Sequence, residues 1–300
     1  MGRAVTTIAL RRGDQHALVG VHGARLRGYG VGARAVLDGC PADGPCTAAR
    51  GDLLLPWPNR ISGARYRFDG HEHRLPVNEK ATGAAIHGFT RDLDWEVAEQ
   101  GADRVRLRLD LTPRPGYPFA LVCEVEYALD DAGLRVRTAA TNTGSGPAPY
   151  ATGAHPYLTV GTALVDEAEL HVPADRYYPT DEHGTPAAPR PVEGTPLDLR
   201  TPTLLGPRRI DNAYSGLYRD PDGRVRVRLR APEGVAVTLW LAAGYDYVQV
   251  FTGDTVPEPE RRRRGVAVEP MTAAPNAFNT GDGLLVLAPG EEHAVEWGVT

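Results

Sequence analysis

In residues 104–111, Val105, Leu107, Leu109 and Leu111 fall on one side of the chain and Arg104, Arg106, Arg108 and Asp110 on the other. A period of two suits a half-buried β-strand and fits no helix, whose faces repeat every 3.6 residues. Residues 119–129 repeat the pattern with Phe119, Leu121, Cys123, Val125, Tyr127 and Leu129. Leu134 and Val136 alternate with Arg135 and Arg137, and Val225, Val227 and Leu229 with Arg226 and Arg228. The strands are separated by Asp69-Gly70, Asp131-Ala-Gly133, Asp222-Gly223 and Gly281-Asp-Gly283, which carry hairpin-turn chemistry. The 34 glycines and 26 prolines are spread along the chain and mark many turns with no single linker. No helical stripe runs beyond about three turns. A dozen or more strands must hide their apolar faces against one another, so the fold class is all-β: stacked antiparallel sheets in one domain over residues 1–300. Residues 173–208 and 254–264 read as long irregular loops of the kind that carry function.

Other function classes are excluded by charge and pattern. A formal net charge of −5 denies the chain the basic face that nucleic-acid binding needs. No stretch approaches the ~18 apolar residues of a membrane helix; the nearest, 235–243, alternates as a strand does. The N-terminus has no apolar leader segment from Met1 to Asp14. Cys40, Cys46 and Cys123 are odd in number and lack Cys-x-x-Cys spacing, so they read as reduced thiols of a cytoplasmic protein. Gly28 to Gly32 has no helix after it to cradle a phosphate.

Six short segments carry polar residues in purposeful company. Leu55-Pro-Trp-Pro-Asn-Arg-Ile61 fixes an extended path with two prolines and presents Asn59 and Arg60. Ala85-Ile-His-Gly-Phe89 presents His87, Ile210-Asp-Asn-Ala-Tyr214 presents Asp211, and Tyr247-Val-Gln-Val-Phe-Thr-Gly253 presents Gln249. In Ala151-Thr-Gly-Ala-His-Pro-Tyr157, two small residues leave space before His155, whose imidazole titrates near neutrality and can give or take a proton. Read alone, it is first a core or hairpin histidine satisfied by a backbone carbonyl. In Gly265-Val-Ala-Val-Glu-Pro-Met-Thr272, Glu269 ends an apolar strand, where a carboxylate is costly unless paired or used; a rim residue capping a loop is the other reading.

Taken in order, these six motifs resemble the aldose 1-epimerase (galactose mutarotase) superfamily, over roughly residues 50 to 300. The ending Glu-Pro-Met-Thr followed by Asn276-Ala-Phe278 is most similar to a bacterial branch of distant relatives; galactose mutarotases proper more often have Glu-Thr-Gln there. The resemblance implies a large antiparallel β-supersandwich with an open sugar cleft. It implies His155 and Glu269 as the catalytic acid and base, with the carboxylate keeping His155 charged. It places Arg60, His87, Asp211 and Gln249, with Asn59 beside them, on the sugar hydroxyls. Trp57 or Phe251 would offer a stacking face. The partner implied is a small sugar bound by a monomer or homodimer, with no nucleic acid, membrane, metal or cofactor. Two alternatives stay open: an epimerase for a 6-phosphorylated or 6-sulfonated sugar, which the run Arg261 to Arg264 would serve, and a non-catalytic sugar-binding domain. That run otherwise reads as a solvated loop, and His71-Glu-His73, although its imidazoles share a strand face, as a solvated hairpin.

Overall fold

The computed structural model describes residues 6–41 and 44–300. The first residues of the leaderless N-terminus expected above lie outside them. Each alternating segment forms a strand. Arg104–Leu111 buries Val105, Leu107 and Leu111, and its neighbours Leu121–Asp130, Gly133–Asn142 and Val225–Arg230 follow the same rule. Charges on the outward side pair across strands: Arg135 reaches Glu126 and Glu296, and Arg137 reaches Glu292.

Two large sheets make the body. The first has nine strands, running from Glu96–Gln100 through Gly133–Asn142 and the C-terminal Glu292–Val299 to Thr203–Leu204. The second has eight and is centred on Asp211–Leu217, Tyr247–Phe251 and Val266–Met271. A four-stranded sheet from Thr7–Arg12 to Arg34–Ala35 adds to them. All ladders between these strands are antiparallel, the arrangement that short turns allow. A single apolar cluster draws on all three sheets, from Leu10 and Tyr29 through Val125 and Val136 to Val250 and Val268. The Asp69-Gly70 turn closes the hairpin of Arg65–Phe68 and His71–Arg74. There His71 is exposed and His73 stacks on Tyr66, ring centroids 4.9 Å apart. Among the described residues no helix is long and apolar enough to cross a membrane.

Three readings are corrected. Residues 173–208 hold three strands, Ala174–Tyr177, Arg190–Pro191 and Thr203–Leu204, too short for alternation to reveal. The arginine run is only partly solvated. Arg261 pairs with Asp38 at 2.5 Å, and Arg263 with Asp166 at 2.7 Å and Asp254 at 2.6 Å. Asp38 and Asp166 lie 223 and 97 residues from these arginines, out of reach of any local pattern, whereas Asp254 lies nine residues from Arg263 in the same loop. Cys40 and Cys46 are joined in a disulfide, Cα atoms 5.1 Å apart, and only Cys123 is free. Arg27 donates to the carbonyls of Pro41 and Gly44, folding the loop so that the two thiols meet. The cysteine argument for a reducing compartment therefore falls. Cys123 lies in the core, where burial pushes its thiol up to about 12.

Candidate functional site

Strand register assembles the site on one face of the eight-stranded sheet. Gln249 lies directly opposite Glu269, and Ala213 opposite Gln249. Asp211, two residues before Ala213, shares their face, because side chains two apart on a strand point the same way. Gln249 Nε2 donates to Asp211 Oδ1 at 2.6 Å. Two short strands flank His155: Gly153 pairs with Met271, and Tyr157 with Ala267. That register sets His155 across from Glu269, and Nε2 of the imidazole stands 3.2 Å from Oε1 of the carboxyl. Backbone bonds pin the histidine, its N–H donating to Asp52 O at 3.0 Å and its carbonyl accepting from Gly51 N at 2.9 Å. The glycine before it is required: a Cβ at Gly153 would lie 2.8 Å from Pro270 O and 2.9 Å from Pro58 Cβ.

The opposite wall comes from the loops that carry Asn59 and His87. Both residues adopt left-handed backbones, φ 52° and 63°, and they exchange bonds. The His87 N–H donates to Asn59 O at 3.0 Å, and the Asn59 N–H donates to His87 Nδ1 at 3.2 Å. Since Nδ1 accepts a backbone proton, the neutral ring carries its hydrogen on Nε2. Burial, aided by His155, drives the His87 pKa well below its ordinary value, so the ring is neutral and a donor. Arg60 is held by a two-pronged pair with Glu79, at 2.6 and 2.7 Å. Gly184, φ 71°, packs against that guanidinium, where a Cβ would come within 3.2 Å of it.

All seven residues singled out in the sequence line one cavity of about 320 Å³: Asn59, Arg60, His87, His155, Asp211, Gln249 and Glu269. Pattern reading missed Glu79 and Arg91, which line it too. Neither stands in a segment whose spacing marks it, although Arg91 follows His87 by four residues. Phe251 lines the cavity, but Trp57 does not. Only 2% exposed, it packs edge-on against Phe89 and Phe278 and donates its indole N–H to Ala85 O. The ring expected to offer the sugar a stacking face lies in the core instead. None of Arg261 to Arg264 lines the cavity.

Electrostatics follow burial. The Glu269 carboxyl is pushed well above the ordinary carboxylate range by desolvation, with Asp211 adding to the effect and Arg60 opposing it. Desolvation drives His155 down to about 3, and Arg91 and Arg50 act in the same sense. Both directions favour neutral forms, so in the free site the shared proton rests on Glu269 and the imidazole is neutral. This corrects the expectation of a charged His155, because loss of water outweighs the neighbouring carboxyl. Glu269 Oε2 is buried with no hydrogen-bond partner among the described residues. His87, His155 and Glu269 also offer three donor atoms within 4.8 Å, the spacing of a metal centre. Against that use, a metal would have to displace the proton fixed on His87 Nε2, breaking the bond from Asn59.

Comparison with known proteins identifies the family. The family model for aldose 1-epimerase matches residues 7–300. The chain belongs to the aldose 1-epimerase family. It is 36% identical over 295 residues to the uncharacterised Escherichia coli protein YihR, covering 98% of this chain and 92% of that one. It is 28% identical over 266 residues to an Escherichia coli aldose 1-epimerase, covering 79% and 75%. In structure it superposes on a GalM/aldose epimerase homologue from C. elegans with a TM-score of 0.86 at 20% identity, covering 99% of both chains. A galactose 1-epimerase from Lactobacillus acidophilus gives 0.82 at 18% identity, covering 99% and 94%. These likenesses show the shared all-β fold.

Proposed function

We propose that this family member is a mutarotase, exchanging the α and β anomers of a hexose or close derivative by acid–base ring opening. The observation that carries the reading is the buried His155–Glu269 contact of 3.2 Å, set in a cavity walled by Arg60, His87, Asp211 and Gln249. A purely structural pair would complete its hydrogen bonds within the protein, whereas Glu269 Oε2 is left without a partner.

Ring opening moves two protons. Glu269, as carboxylate, takes the proton of the anomeric hydroxyl, and His155, as imidazolium, gives one to the ring oxygen as the C1–O5 bond breaks. The electron pair of that bond stays on the ring oxygen, and C1 becomes an aldehyde. The enzyme is left with neutral imidazole and carboxylic acid, the form that burial favours in the free site. After rotation about C1–C2 the same steps run backwards: the carboxylic acid protonates the aldehyde oxygen while the imidazole takes the proton of the attacking hydroxyl. The pair thus holds one proton throughout, and its two tautomers match the cyclic and open sugar. Each such transfer is worth roughly 10²- to 10⁴-fold. His87 Nε2–H, the Arg60 guanidinium and the Asp211–Gln249 pair hold the remaining hydroxyls, since an error of ~1 Å at the anomeric carbon can cost about 10²-fold.

The test is polarimetry of freshly dissolved α-D-glucose and α-D-galactose with purified protein. Accelerated anomer exchange that persists in EDTA supports the reading. Activity that vanishes on chelation and returns with a divalent metal overturns it in favour of a metal centre at His87, His155 and Glu269.

A second reading, in which the sugar carries a 6-phosphate or 6-sulfonate, loses the arginine run but is favoured by Arg91. This residue lines the cavity, its Nε has no hydrogen-bond partner among the described residues, and its carboxylate contacts, Asp52 and Asp92, lie at 3.8 and 3.7 Å. Arg91→Gln should then raise KM for an anionic sugar and spare a neutral one. Equal effects on both return Arg91 to a structural role.

A further inference from the structure

Beside the cavity three side chains are stacked in line: His155 and Tyr157, which line it, and Arg50, which does not. The Tyr157 ring lies on the His155 imidazole, centroids 5.1 Å apart and planes 20° from parallel. The Arg50 guanidinium lies over the Tyr157 ring, 4.7 Å from its centroid. Arg50 is only 1% exposed, an expensive place for a cation. Its Nε donates to Asp38 at 3.2 Å, and Asp38 is shared with Arg261 at 2.5 Å. Glu258, which accepts from Thr47 Oγ1 at 2.9 Å, also acts on both guanidiniums, so Asp38 and Glu258 together set how much of the Arg50 charge reaches the histidine. The same acid clamps the tyrosine, since the Asp38 N–H donates to Tyr157 O at 2.9 Å, while the Tyr157 hydroxyl donates to Ala48 O at 3.0 Å. Only Arg261 of the four-arginine run reaches this assembly, which gives that residue a use the cavity does not.

We propose that Arg50 is a positioning residue for the proton transfer: through Tyr157 it fixes the His155 ring plane, and by its charge it weakens the imidazole's hold on the proton, making the imidazolium a stronger acid toward the ring oxygen. The proposal rests on the acid–base reading of His155. The charged or titratable groups acting on the imidazole and the tyrosine stacked on it are Glu269, His87, Arg91, Arg50, Asp211 and Asp38. Glu269 faces it at 3.2 Å, and His87, neutral, meets it edge-on at 5.3 Å. Arg91 lies on the cavity side, Arg50 behind the tyrosine, and both act to hold His155 low. Of these two arginines, Arg50 is the one that does not line the cavity, so its effect can be separated from substrate contact.

The experiment compares Arg50→Gln, Arg50→Lys and Asp38→Asn with the wild type by two readouts: the pH profile of kcat for anomer exchange, and ¹⁵N imidazole shifts of His155 against pH. A nearby cation favours the deprotonated state, so removing it raises the titration points of the pair. In Arg50→Gln both limbs of the profile should move up by about one pH unit, the size expected of a charge about 10 Å away at an effective dielectric constant of ~20. The ¹⁵N titration should follow, kcat should fall several-fold and KM should hold. Arg50→Lys should keep the wild-type limbs. Asp38→Asn removes an anion and should move them down, a result that decides the question even if Arg50→Gln does not fold. Unmoved limbs and shifts in a folded Arg50→Gln or Asp38→Asn protein overturn the proposal. If no variant, wild type included, exchanges anomers while the ¹⁵N titration still moves as stated, the acid–base reading fails and the electrostatic role of Arg50 stands.

Discussion

Replacing Glu79 with glutamine removes the only carboxylate hydrogen-bonded to Arg60 among the described residues and keeps the side chain's size. The wild-type pair makes two charge-assisted bonds of 2.6 and 2.7 Å, with the two side chains 18% and 23% exposed. Breaking a fully buried pair costs about 3–5 kcal/mol, and an exposed one about 0–1. At roughly one-fifth exposure, with one glutamine oxygen still able to accept, about 1–2 kcal/mol is the expected loss. The guanidinium also feels Asp211 and Glu269 electrostatically. Freed from Glu79, it should swing toward them, away from its place against the sugar. Two assays follow these separate consequences: urea denaturation, where the midpoint should fall without a change in slope, and saturation kinetics of anomer exchange, where KM should rise about tenfold, equivalent to ~1.4 kcal/mol, with kcat falling less. A folded Glu79→Gln protein with wild-type KM and wild-type midpoint would refute the claim that Glu79 aims Arg60. Lost stability with an unchanged KM would make the pair structural only.

Other outcomes follow from the same geometry. His155 has a folded-state pKa of about 3 against an ordinary value of 6.5, so between those limits the unfolded chain binds a proton that the native protein refuses, and native stability drops as pH falls through that window. His155→Asn lacks this term, so its stability relative to wild type should improve by about 1–2 kcal/mol from pH 7 to pH 5 in paired urea titrations; a gap independent of pH contradicts the buried neutral imidazole. Gly153→Ala places a Cβ 2.8 Å from Pro270 O, which should cost about 1–3 kcal/mol and shift His155, so thermal melting and kcat should both fall. Wild-type values for both would mean that the strand beside Glu269 yields without cost.

How far the sequence can be read here depends on whether a residue's partner is local. Arg104–Leu111 was legible because eight residues carry their own period, and the same held for the strands around it. Glu269 was legible because a carboxylate following the apolar run Val266 to Val268 is costly on its face, although the strand continues past it to Met271, and register then placed Gln249 and His155 beside it. Glu79, Arg50 and Arg91 gave no such signal: their roles are set by Arg60, Tyr157 and the cavity, which only the folded chain brings near. The Cys40–Cys46 bridge, beside the loop carbonyls that accept from Arg27, was concealed by an odd count of three cysteines. Trp57 misled because two flanking prolines set the backbone path but leave open which way the indole points, and that was decided by the apolar ring cluster of Phe89, Tyr117 and Phe278.

The central claim is that Glu269 carries the proton between the anomeric oxygen and the enzyme. Glu269→Gln preserves shape and hydrogen-bonding reach while abolishing that exchange, and polarimetry of fresh α-anomers, corrected for the spontaneous rate in water, reads the consequence directly. The account predicts a folded protein whose kcat falls by about 10²-fold or more, the scale of one positioned proton transfer, while KM changes little. A folded Glu269→Gln protein with near-wild-type kcat would contradict it, leaving the cavity as a sugar-binding site without chemistry.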